Sequence, residues 1–104
     1  MRAAKWSRGF KSPGVVFEMG CGDGIMLNSL RMYGWHVFGN ERTLGAAHFA
    51  RHQLNVPIFV GGLDSLSSTP TADLIILFQV LEHLEDPLKT LKQLNPLLKP
   101  TGKL

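Results

Sequence analysis

The chain has 104 residues, 44% of them hydrophobic, which suffices for one packed domain. Its formal charge of +3 is a mild excess that permits a nucleic-acid partner without arguing for one, and no run reaches the roughly 18 consecutive apolar residues of a membrane span. A single cysteine, Cys21, excludes an internal disulfide and makes a reducing, cytoplasmic setting the expectation.

Residues 1–14 read as a basic leader, with Arg2, Lys5, Arg8 and Lys11 among Trp6 and Phe10 and a Ser12-Pro13-Gly14 ending. The segment has no apolar stretch, so it does not read as a secretory signal. Residues 15–104 read as the domain. Val15 to Met19 is a buried strand. Asp23 to Tyr33 is a helix, with Ile25, Leu27, Leu30 and Met32 available to pack and Gly34 as its stop. Trp35 to Gly39 is a second strand. Thr43 to His52 is a second helix, with Thr43 as a possible N-cap and Leu44, Ala47 and Ala50 marking its inward face. Pro57 to Val60 is a third strand, broken by Gly61-Gly62, and Ser65 to Thr71 is a polar loop.

Asp73 then introduces Leu74-Ile75-Ile76-Leu77-Phe78, an unbroken apolar run of the kind found in strands covered on both faces. Glu85 to Leu98 reads as a third helix, with Pro87 in its first turn and Leu88, Leu91, Leu94 and Leu98 at helical spacing. Pro96 ends or kinks it. Lys99-Pro100-Thr101-Gly102 reads as a turn. Strands alternating with helices imply a parallel α/β sheet with right-handed crossovers. The Leu74 to Phe78 strand belongs in the middle of such a sheet, yet only Lys103 and Leu104 follow the turn. The expectation is a chain that stops where a further strand would begin, leaving an uncovered apolar edge prone to self-association.

Two stretches carry functional information. In Val15-Val16-Phe17-Glu18-Met19-Gly20-Cys21-Gly22-Asp23-Gly24, an apolar strand ends in a carboxylate, and glycines follow at alternate positions before a helix. A tight turn there needs backbone angles that a Cβ would penalise, and a ligand lying across it needs bare backbone. The spacing is G-x-G-x-G rather than the G-x-G-x-x-G of dinucleotide enzymes, which disfavours a nicotinamide dehydrogenase. The second stretch is Phe78-Gln79-Val80-Leu81-Glu82-His83-Leu84-Glu85-Asp86-Pro87, followed by a leucine-rich helix and Leu97-Leu98-Lys99-Pro100-Thr101-Gly102-Lys103-Leu104.

Together these stretches resemble the class I methyltransferases that use S-adenosyl-L-methionine (SAM), in particular the group that includes the ubiquinone-biosynthesis O-methyltransferases. The resemblance runs over residues 15–104. It implies a Rossmann-like parallel sheet in strand order 3-2-1-4 with flanking helices, an incomplete version of the class I fold. It also implies transfer of a methyl group from SAM to an unidentified acceptor. The alternative is a truncated, non-catalytic SAM-binding fragment or interaction module.

In residue terms, the resemblance implies that Gly20, Cys21, Gly22 and Gly24 line the methionine end of SAM, with Glu18 holding its cationic end. Cys21 would be a small residue that fits the turn, and Asp23 a helix cap. Glu41, 21 positions after Gly20, would accept the ribose hydroxyls. Otherwise Glu18 and Glu41 are surface carboxylates at element ends. After the third strand the family commonly has an acidic or amide residue bonding the adenine amino group. Gly62 stands there, followed by Leu63, which could meet the ring through its backbone or by apolar packing, and Asp64 could substitute. Phe78 and Gln79 would close over the methionine portion. His83 is the candidate general base, and the alternative is that Glu82 and His83 bond backbone at a loop. Some relatives place E-x-x-E-H here and bind a divalent ion; Gln79 replaces the first Glu, so no metal is expected. His48 and His52, at i and i+4, read as ordinary helix residues.

Overall fold

The computed structural model describes residues 13–63, 71–77 and 84–103, without the side chains of 99–103. Strand β1 (Val15–Met19) is followed by α1 (Ile25–Met32), β2 (His36–Glu41), α2 (Leu44–His52), β3 (Ile58–Val60), β4 (Ala72–Ile76), α3 (Pro87–Leu94) and β5 (Leu98–Lys103). The sheet is five-stranded and parallel, in the order β3-β2-β1-β4-β5. The expected 3-2-1-4 order is present, with β1 at the centre.

Alternation along β1 sorts the core into two layers. Val16 faces Leu27 and Leu30 of α1, Ala47 and Ala50 of α2, and Trp35, Val56 and Ile58. Phe17 faces the other way, onto Phe38, Ile75 and Leu94 of α3. Phe17 and Phe38 are direct neighbours across β1 and β2, with ring centroids 4.9 Å apart. The chain thus winds one way from β1 to β3 and the other way from β4 to β5. The reversal lies between β1 and β4, and open parallel sheets bind ligands at the carboxyl ends of strands beside such a switch.

Three expectations need correction. Leu98 to Lys103 is not a turn with loose ends but a fifth strand, β5, on the far side of β4. Pro100 can sit there because an edge strand needs no donor on its free side, and the ladder is irregular between Ala72 and Leu74. The β4 edge that was to drive self-association is therefore paired. Secondly, the third helix is shorter than predicted: α3 stops at Leu94 and Asn95–Leu97 forms a 3-10 turn. Pro96 has no N–H with which to continue the α-helical ladder. The helix also starts at Pro87, two residues after the expected Glu85, with the Asp86 carboxylate accepting from the Lys89 N–H at 3.1 Å. Thirdly, Ile25, Met32, Leu44 and Leu88 are exposed, so the first residue of each predicted stripe, and the last of the first helix, stay out of the core.

Candidate functional site

The glycine turn leaves β1 with Gly20, Gly22 and Gly24 at φ of 65°, 59° and 80°. All three lie in the left-handed region that side chains resist. At Gly22 a Cβ would meet no atom of the described residues within 4 Å. At Gly24 it would come within 2.9 Å of the Ala50 Cβ on α2. Gly22 therefore leaves room for something outside the fold, and Gly24 lets the start of α1 sit close to α2. Gly24 occupies the cap position of α1, and Asp23 assists from one residue earlier by accepting the Ile25 N–H at 3.2 Å. Thr43 occupies the cap position of α2 without a side-chain capping bond.

The end of β2 holds this turn. The Cys21 N–H donates to the Asn40 carbonyl at 2.9 Å and the Gly20 N–H to Asn40 Oδ1 at 3.1 Å. Asn40 Nδ2 then donates to the Gly61 carbonyl at 3.1 Å, beyond β3. A single buried amide thus ties together the exits of β1, β2 and β3. The sequence reading passed over Asn40; its one signal is an amide where a strand covered on both faces otherwise carries apolar residues. Asn40→Ala is expected to lower stability by about 1–3 kcal/mol, because two backbone groups lose their partner. A urea midpoint equal to that of the wild type would refute the role.

Glu41 receives the Gly22 N–H on Oε1 at 2.9 Å and the Thr43 N–H on Oε2 at 2.8 Å. Burial opposes its charge, but the N–H groups of Thr43, Gly22 and Arg42 outweigh it and hold the carboxyl below its ordinary range. Glu18 is the opposite case. It is 5% exposed, and among the described residues its Oε1 has no hydrogen-bond partner. Burial first, then the negative charges of Asp23 and Glu41, push its carboxyl up to about 8. It is not the surface carboxylate of the alternative reading. Burial and the Glu18 and Glu41 carboxylates also push the Cys21 thiol up to about 12, which suits a residue fitted to the turn rather than a nucleophile.

A cleft of about 600 Å³ opens over these strand ends. Met19 and Gly20 line it from β1, Asn40, Glu41 and Arg42 from β2, and Leu84, Glu85, Asp86 and the first turns of α3 form the facing wall. Leu63 is turned away: its half-buried side chain packs against the Phe17 and Phe38 layer. Phe78, Gln79, Glu82, His83 and Asp64 lie outside the described residues. Among the described residues no group of three His, Cys, Asp or Glu could hold a metal ion. His48 and His52 stack on one another, with centroids 4.2 Å apart.

The methyltransferase-domain family matches residues 1–104. The ubiquinone biosynthesis O-methyltransferase of Coxiella burnetii is 32% identical over 95 residues, covering 86% of this chain and 41% of the relative. That of Aeromonas salmonicida is 28% identical over 96 residues, covering 86% and 40%. The chain thus spans about two fifths of the length of these curated relatives. Among solved structures, the plantazolicin methyltransferase BpumL in complex with SAH superposes with a TM-score of 0.79 at 25% identity, covering 94% of this chain and 40% of that one. A TehB-like SAM-dependent methyltransferase from Corynebacterium glutamicum shares the fold, with a TM-score of 0.82 at 21% identity, covering 96% and 57%.

Proposed function

This chain belongs to the methyltransferase-domain family, and we propose that residues 15–104 bind SAM and serve methyl transfer to an acceptor not yet identified. The observation that carries the reading is Glu18, a buried carboxyl with an unpartnered oxygen at the end of β1, where the glycine turn begins. A buried polar atom without a partner is costly, and a cationic ligand would supply one. The open space beside Gly22 and the fixed carboxylate of Glu41 fit the rest of a nucleoside. SAM, when bound, brings an already activated methyl group. The chain's own work is then positional: Glu18 holds the cationic end, Gly20, Cys21, Gly22 and Gly24 let backbone approach, and Glu41 takes the ribose hydroxyls. Phe78 and Gln79 are assigned to the methionine portion, and His83 is our candidate for taking a proton from a hydroxyl acceptor. The same proposal places the chain in the cytoplasm, where its lone buried cysteine stays reduced; no helix among the described residues is long and apolar enough to cross a membrane.

Calorimetric titration with SAM and S-adenosylhomocysteine (SAH) tests this reading. Micromolar binding is expected, weakened at least about tenfold in Glu41→Ala, which removes charge-assisted hydrogen bonds. Absence of binding by the folded chain would overturn it.

A further inference from the structure

Helix α2 has two unlike faces. Ala47 and Ala50 are buried in the layer shared with α1 and β1. His48 and His52 are exposed, one turn apart. Their rings stack with centroids 4.2 Å apart and planes tilted by 35°. Residues at i and i+4 are neighbours on one face of a helix, and paired histidine ligands of metal sites use the same spacing.

The ring separation is more telling than the spacing. An imidazole nitrogen binds a divalent ion at about 2.0 Å, so two rings at cis positions about 90° apart place their centroids about 4.5 Å from one another. Tetrahedral positions would place them about 5 Å apart. The observed 4.2 Å lies on the right-angled side, which suits Cu(II) and Ni(II) better than Zn(II). The position on the helix also suits a cation. His52 is the last residue of α2, where the final carbonyls present the negative end of the helix dipole. Its neighbour Arg51 lines the hollow along β3, with Asn55, Pro57 and Phe59. The Cys21 thiol is buried in the glycine turn, away from this face.

We propose that His48 and His52 form a two-ligand site for a divalent transition metal of right-angled preference, Cu(II) above all, with water completing the coordination. Neither residue lines the cleft, and the inference does not depend on the SAM reading. The two rings bind one ion together only while α2 is helical, so the ion stabilises the folded chain.

Titration of the full chain with Cu(II) in a non-coordinating buffer tests this. One ion per chain is expected, with electron paramagnetic resonance showing two equatorial imidazole nitrogens. His48→Ala and His52→Ala are each expected to weaken binding at least about tenfold, because the second ligand no longer acts as an intramolecular partner. Combining His52→Ala with Gln53→His keeps the number of histidines but puts the pair at i and i+5, off a common face. That shifted variant should bind as weakly as His52→Ala. Excess Ni(II), which does not oxidise the Cys21 thiol exposed by unfolding, is expected to raise the urea midpoint of the wild type and not that of the shifted variant. Cu(II) binding that survives at full strength in the single variants or in the shifted one overturns the inference. So does a wild type whose urea midpoint Ni(II) leaves unchanged.

Discussion

Gly24→Val is expected to cost between about 2 and 5 kcal/mol, enough to unfold much of a chain this small. Two penalties coincide at this residue. Its φ of 80° forces a β-branched side chain into the left-handed region. Its Cβ would also sit 2.9 Å from that of Ala50, with Val56 next nearest at 3.7 Å, and both neighbours are buried. Relief would require α1 and α2 to move apart, exposing the layer they share with β1. Gly22→Ala is the control. Its φ of 59° brings the backbone penalty, but among the described residues nothing lies within 4 Å of the added methyl, so it should lose only about 1–2 kcal/mol and keep the fold. If the space beside Gly22 is where a ligand lies, the alanine should cost more in SAH affinity than in stability. Urea denaturation of the two variants beside the wild type decides the first part. Equal midpoints for Gly22→Ala and Gly24→Val would show that the contact with α2 is not what makes Gly24 a glycine.

That contrast marks how far the sequence was legible. Alternating glycines between an apolar strand and a helix announced a ligand turn, and all three adopt positive φ. Nothing in the spacing says that the glycine at 22 faces open space while the one at 24 faces a helix, because that depends on where α2 packs. Val15–Met19 and the buried pairs Leu27 with Leu30 and Ala47 with Ala50 were readable from apolar pattern. Ile25, Met32, Leu44 and Leu88 were not, because helices as short as these bury only a narrow stripe, and apolar residues at their ends fall outside it. The fifth strand was hidden by Pro100 and Gly102, which are turn signals in local sequence and became tolerable only at a sheet edge. Asn40 was invisible for a related reason. Its partners, Gly20 and Gly61, are some 20 residues away in the chain and meet it only because the sheet orders β1, β2 and β3 side by side.

Glu18 provides the second large effect, and its sign follows from the direction of its shift. Its folded carboxyl sits at about 8 against an ordinary 4.5. Below about pH 4.5 the group is protonated in both folded and unfolded chains and contributes no slope. Between 4.5 and 8 the folded chain keeps a proton that the unfolded chain has released, so stability falls as pH rises, by at most about 1.4 kcal/mol per pH unit. Above about 8 the loss is complete. Glu41 acts in a separate window: its lowered carboxyl contributes stability above its unfolded value that is lost only as pH falls through its folded one. Urea denaturation at pH 5.5, 6.5 and 7.5 should therefore show the wild type weakening with pH and Glu18→Gln weakening less, by roughly 1 kcal/mol per unit. Parallel curves would mean that Glu18 is already ionised in the folded chain. Ligand binding extends the same linkage. A cation placed against the unpartnered oxygen favours the carboxylate, so binding of SAH near neutral pH should release a proton from the wild type and not from Glu18→Gln. Calorimetry in buffers of different ionisation enthalpy counts that proton. Release that persists in the variant would move the cation away from Glu18, whereas its disappearance would tie the buried Glu18 carboxyl to the ligand's cation.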